Sequence, residues 1–327
     1  MGKKLFNFKD NGKNKQQFKL SEHTTLIGFL CLVVLASILG WPDFLRMRNI
    51  ITLLRQVSYT GIIALGMTLI IISGGFDLSV GSMTAFAGGV AIFAMNKFTS
   101  NIALGVAVGV LVSLSFATLL GLINGLLVTK GKIAPFIATL GTMSIYRSLI
   151  IYFAKAGNIE SLNTAYGNIG SGVILGLPVP VWCFFILAIF LQIFLDDTKT
   201  GKYICAVGAN EQVAKYSAIN LDKIKLIPYV ITGFTVGISA LLWSSRLNCI
   251  NPSDCSGYEL DAIAAVVIGG TPMSGGIGSV LGTVIGAIML GIINNMLVLA
   301  GVSSYLQQAA KGLVIIIAVL VQYKKEK

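Results

Sequence analysis

The sequence has 327 residues, is 55% hydrophobic and only 11% charged, and has a mean hydropathy of +0.84. Soluble domains run near about 25% charged, so the composition excludes an ordinary soluble protein and predicts an all-α, polytopic membrane protein. The net charge of +11 gathers in tails and short loops rather than on a nucleic-acid-binding face, and one His with five scattered Cys leaves no metal cluster of ordinary spacing.

Residues 1–22 carry Lys3, Lys4, Lys9, Lys13, Lys15 and Lys19 and read as a basic cytoplasmic tail. Residues 23–327 read as a single transmembrane domain. The first span is expected over Thr25–Trp41, ended by Trp41-Pro42. Asp43 to Arg55 looks like an amphipathic segment lying in the interface. Further apolar elements follow at 56–73, 79–96, 102–128, 133–154, 179–195, 226–246, 258–270, 277–299 and 304–322. That makes about ten helical elements, with 258–270 too short to cross alone at about 1.5 Å per residue. An even count puts both termini on one side. With the termini inside, sixteen of the 24 Lys and Arg residues lie in inner segments, as the positive-inside bias expects.

Between the second and third elements the run breaks at Ser73-Gly74-Gly75-Phe76-Asp77-Leu78-Ser79-Val80-Gly81-Ser82. Lipid offers no partner to a broken backbone, so such a break must be buried in protein or line a water-filled cavity. Asp77 adds a carboxylate, which is costly there and commonly functional. A tight hairpin with Asp77 capping the next helix fits the same residues. A second Gly-rich break spans 268–279, with Gly269, Gly270, Gly275 and Gly276. Gly121-Leu122-Ile123-Asn124 is echoed by Gly291-Ile292-Ile293-Asn294. The two echoes are offset by 195 and 170 positions, a difference of about one spanning helix. The pattern predicts two related halves, with Gly74, Gly75, Asp77, Ser79, Asn124, Gly269, Gly270 and Asn294 along a translocation pathway.

Two outer segments, 156–178 and 247–257, are polar, and the second carries Cys249 and Cys255, which could pair. The longest inner connection, 196–225, contains Asn210 placed to cap a short helix and Glu211 at its positive end. Val213, Ala214, Ser217 and Ala218 would share a small, uncharged face suited to docking a partner. No phosphate-cradling G-x-x-x-x-G-K-[ST] run occurs, and with His23 the only His no Ser/His/Asp set is possible, so no catalytic residue, metal or cofactor is expected. Glu259 and Asp261 read as helix-starting acids. Arg147 and Lys311 are the other charges within spans.

Gly74 to Ser82 resembles the GG-I-DLSVGS stretch of the ribose/xylose/arabinose/galactose-type ABC importer permeases. Pro135 to Gly141, Ala206 to Ser217, and Gly257 to Thr271 followed by Gly275 to Ser279 resemble further motifs of that family in the same order. Phe76, Ala218 and Pro272 depart from it. The resemblance implies a non-enzymatic subunit in the inner membrane, working with an ABC ATPase subunit, an extracytoplasmic sugar-binding protein and a second permease copy. The inner loop's length, its cap and its small face then make Asn210, Glu211, Val213, Ala214 and Ser217 the expected site of ATPase coupling. A permease for a signalling furanose, a nucleoside or a branched-chain amino acid, or an ion-coupled carrier using Asp77, stays open on these residues.

Overall fold

The computed structural model describes residues 10–303, 306, 307, 309–313 and 316. The chain order is α1 (Asp10–Leu39), α2 (Met47–Ile72), α3 (Val80–Met95), α4 (Ile102–Thr129), α5 (Pro135–Phe153), α6 (Gly167–Ser171), α7 (Val179–Asp197), α8 (Lys199–Ala209), α9 (Glu211–Tyr216), α10 (Leu221–Leu247), α11 (Tyr258–Ile268) and α12 (Val280–Leu299). Six of them, α2, α4, α5, α7, α10 and α12, are long and apolar enough to cross a membrane. The polytopic all-α reading therefore holds. α11 has 11 residues, too few to cross, as its length in the sequence implied, and α3 has only 16. The expected element at 304–322 lies largely outside the described residues.

Helix starts follow local chemistry. Asn101, Thr198, Asn210, Asn220 and Ser279 each accept a backbone N–H from the first turn of the helix they precede. Pro135 opens α5, where its missing donor costs nothing. Pro228 falls inside α10, and Thr232 Oγ1 donates to the Pro228 carbonyl (2.8 Å).

One boundary corrects the sequence reading. The segment at 43–55 does not lie apart as an interfacial helix, because from Met47 onward it forms the first turns of α2. Its polar residues are absorbed by packing: Asn49 and Asn295 exchange two side-chain amide hydrogen bonds (2.9 and 2.8 Å), joining α2 to α12.

α2 is the centre of the molecule. Every residue from Gly61 to Ile72 is buried, which a helix with one lipid-facing side cannot achieve. The polar segments on the side of the α10–α11 connection make short strands: β1 (Ile159–Glu160) pairs antiparallel with β4 (Cys249–Ile250), and β2 (Val173–Ile174) with β3 (Leu177–Pro178). All five cysteines are free thiols, so Cys249 and Cys255 are not bonded.

α4 and α10 cross through glycine. A Cβ at Gly233 would stand 2.6 Å from the Ala117 carbonyl and 2.9 Å from Thr118 Cα, and Ser113 Oγ donates to the Gly237 carbonyl (2.8 Å). Backbone cannot yield as a side chain can, so Gly233→Ala should lower stability by about 1–3 kcal/mol. Gly141→Ala on α5, where a Cβ meets nothing within 4 Å, is the control and should be neutral or stabilising. Thermal unfolding in detergent measures both, and equal midpoints would contradict the crossing.

Candidate functional site

The first break begins where α2 stops. The Gly74 and Gly75 N–H groups donate back to the Ile71 and Ile70 carbonyls (both 2.9 Å), and Gly74 sits at φ +82°, a conformation glycine supplies without strain. The Ile72 carbonyl is left over. Its partner comes from the second break, 204 residues on in the chain, where the Gly276 N–H donates to it (2.8 Å). Gly275 and Gly276 take φ of +80° and +85° to present that donor. A Cβ at Gly276 would stand 2.7 Å from Ala209 Cα, and one at Gly208 would strike the Ile72 carbonyl itself. The two interruptions and the end of α8 thus meet at one point.

Past the glycines the chain turns into α3 around Asp77, which is fully buried. Its Oδ1 accepts from the Ser79 N–H (2.9 Å) and Ser79 Oγ (2.6 Å), and its Oδ2 accepts from Asn124 Nδ2 on α4 (3.0 Å). Asn124 Nδ2 also reaches Ser79 Oγ (2.7 Å), and Tyr146 Oη on α5 donates to Asn124 Oδ1 (3.1 Å). Tyr229 Oη on α10 donates to the Phe76 carbonyl (3.1 Å). Asp77 is therefore not the cap of α3. The capping position is Ser79, whose side chain makes no cap bond, and Asp77 ties the break to the neighbouring helix instead.

The second break is built differently. Gly269 lies against the backbone of Gly282, Gly270 sits at φ +92°, and Ser279 Oγ accepts from the Gly282 N–H (3.1 Å) to start α12. Thr283 and Thr68 hydroxyls share a hydrogen bond (2.7 Å) between α12 and α2. Asn294 does not join this break. It lies near the far end of α12, and its Oδ1 is buried with no hydrogen-bond partner. Asn124 and Asn294 thus do different work despite their matched sequence context.

A cavity of about 320 Å³ opens beside the first break. Ser73, Gly74, Gly75, Thr129 and Tyr229 are among the residues that line it, as are Glu211, Asp222, Lys132 and Lys225. The charges close on one another: Lys132 with Asp222 and Lys225 with Glu211, both at 2.6 Å. Two predicted groups, break and inner loop, therefore face one space. In α9, Asn210 Oδ1 accepts from the Val213 N–H (3.0 Å), as its capping role required. The shared face splits, since Ala214 is buried inward while Val213, Tyr216 and Ser217 are exposed.

Lys311 and Arg147, the other two charges that the sequence reading placed within spans, are occupied. Lys311 pairs with Asp261 (2.9 Å), and the Arg147 guanidinium donates to the Pro252 and Asp254 carbonyls. Glu259 Oε1 accepts from the Gly257 N–H at the start of α11 (3.2 Å). The sequence reading missed Tyr146, Tyr229 and Gly208. Gly276 was in view as half of a Gly pair, but nothing in the sequence marked Ile72 as its partner.

Removing Asn124 leaves a buried carboxylate oxygen with no donor, whereas removing the Tyr146 hydroxyl frees only a neutral amide oxygen. Asn124→Leu should therefore destabilise by about 2–3 kcal/mol or more and Tyr146→Phe by about 1 kcal/mol. The comparison is made by thermal unfolding of the purified protein in detergent, and the reverse order would refute the network.

Comparison with known proteins gives a family and close relatives. The profile of the family described as "Branched-chain amino acid transport system / permease component" matches residues 49–319. The ribose import permease protein RbsC of Haemophilus influenzae is 42% identical over 305 residues, covering 92% of this chain and 93% of that one. The ribose import permease protein RbsC of Bacillus subtilis is 42% identical over 303 residues, covering 91% and 92%. The L-arabinose ABC transporter permease protein AraH of Azospirillum brasilense is 31% identical over 298 residues, covering 90% and 86%. No solved structure matches the chain.

Proposed function

The chain belongs to the family of branched-chain amino acid transport system permease components, together with ribose and L-arabinose permeases, and we propose that it carries a monosaccharide through the membrane as the permease subunit of an ABC importer. The observation that carries the reading is the 42% identity to a ribose import permease across more than nine-tenths of both chains. A pentose of the ribose type is the solute this favours. ATP is hydrolysed by a partner ATPase. A sugar-binding protein delivers solute at the outer face, and a second permease copy completes the pathway.

Within that reading the chain is two related halves of about ten helical elements, and 23–327 act as one domain behind a basic tail at 1–22. Gly74, Gly75, Asp77, Ser79, Asn124, Gly269 and Gly270 stand along or behind the pathway. The geometry supports a mechanical role for them: each break leaves a joint between two helices, and the Ile72–Gly276 bond couples the two joints. Asn294 is the weakest member, since no hydrogen bond links it to either break.

The ATPase would act on α9. Its exposed Val213, Tyr216 and Ser217 form the contact, Asn210 holds the helix start, and Ala214 seats it on the protein. Glu211 is already paired with Lys225, which favours an apolar over an ionic contact. α8 carries the displacement inward, because its last turn abuts both breaks.

Uptake of D-ribose into proteoliposomes holding permease, ATPase and binding protein tests the reading. Uptake should stop with vanadate and survive an uncoupler. The opposite pattern would favour an ion-coupled carrier built on Asp77. Val213→Glu should preserve folding but cut ATPase association at least about tenfold, by placing a charge in an apolar contact. Parent-like transport by this variant would move the coupling site elsewhere.

Both termini would face the cytoplasm. The native thiols report poorly on this, since burial pushes Cys255 well up and Cys205 up to about 11. In a Cys-free background, a membrane-impermeant maleimide should label Thr99→Cys in intact cells and Lys215→Cys only after permeabilisation. Both parent residues are exposed, so access is not limited by packing.

A further inference from the structure

Polar atoms buried without partners are few in folded proteins, and each asks for a water, an ion or a ligand. Five side-chain atoms are of this kind among the described residues, and three fall in one cluster: Arg55 Nε, Tyr59 Oη and Trp243 Nε1. The cluster joins three helices. Tyr59 and Arg55 come from α2, Trp243 and Arg246 from the last turns of α10, and Tyr258 opens α11. The rings of Tyr59 and Trp243 meet edge to face (5.2 Å, 88°), and those of Trp243 and Tyr258 likewise (5.9 Å, 81°). The Arg246 guanidinium stands 5.9 Å from the Tyr59 ring centroid. Tyr59 is fully covered, while Trp243 and Tyr258 are partly open.

The chemistry of this set is specific. It offers donors, one hydroxyl, one indole N–H and guanidinium N–H groups, and apolar ring faces beside them. A cation is a poor match, since the two guanidinium groups repel it and the donors offer it no oxygen ligand; an anion would suit those donors but not the ring faces beside them, which carry the negative side of the aromatic quadrupole. A sugar matches both features: its hydroxyl oxygens accept, and its C–H face lies against aromatic rings. Tyr258 is carried on α11, a short helix that ends at a glycine break.

We propose that Tyr59, Trp243 and Tyr258, with Arg55 and Arg246 beside them, form a subsite that a monosaccharide contacts during passage, closed in the conformation described here. This rests on the sugar-permease reading above and adds residues that reading does not contain. The subsite is some distance along α2 from the glycine break, twelve or more residues from Ile72, so it acts at a different level of the pathway.

The test is uptake of D-ribose, D-xylose, L-arabinose and D-galactose by the complete reconstituted importer, with parent, Tyr59→Phe and Trp243→Phe permeases. Tyr59→Phe keeps the ring and removes only a hydroxyl that makes no hydrogen bond of ordinary length, with the Arg246 guanidinium nearby. A packing role predicts unchanged or higher thermal stability and parent-like transport. The subsite predicts the same stability and ATPase assembly but uptake reduced about five- to tenfold, the worth of one hydrogen bond to solute. Parent-like uptake by both variants would mean that water alone fills the cluster, and would overturn the subsite while leaving the sugar reading intact. Loss of stability or assembly in Tyr59→Phe would mark a structural role and overturn it too. A parent importer that moves none of the four sugars would overturn both.

Discussion

One hydrogen bond organises the molecule, from the Gly276 N–H to the Ile72 carbonyl. A helix that stops inside a membrane protein exposes carbonyls that hydrocarbon cannot satisfy, at a cost of several kcal/mol each. Here the donor is borrowed from a second interrupted helix. The bond demands close backbone approach on three sides, which explains the glycines at 208, 275 and 276 together. It also explains why α2 is enclosed along its last three turns: a break this polar is tolerable only inside a sleeve of protein.

Asp77 belongs to the same logic. Its carboxyl group accepts three hydrogen bonds, one from backbone, one from the Ser79 hydroxyl and one from Asn124. Such an arrangement satisfies a buried polar group and fixes it in place. It holds α4 against the turn and, through Tyr146, draws α5 into the same network. Lys311 and Arg147 are held as firmly by an acid and by two carbonyls. These charges act as fasteners between segments distant in sequence.

Much of this was legible in the sequence, for reasons that differ by residue. Paired glycines with an acid in an apolar run announce a break because no other residue types allow it. Asn210 and its cap were readable because capping is local, three residues from donor to acceptor. The Asp77–Asn124 contact was not readable as a bond, since nothing local links residues 47 apart. The segment before Arg55 was misjudged as interfacial because its polar residues imitate an amphipathic surface helix. Only the Asn49–Asn295 pair, 246 residues apart, reveals that it is packed. The inner face of α9 was half right, because a six-residue helix has too few turns for its pattern to say which side is buried.

Asn49–Asn295 and Thr68–Thr283 lie close to opposite ends of both α2 and α12. Two polar rivets set that far apart stop a pair of helices from sliding and from rolling. α2 and α12 must then behave as one stiff plate, carrying a broken end at each of its glycine stops. The other helices pack around that plate, and the short α11 lies against both of its members.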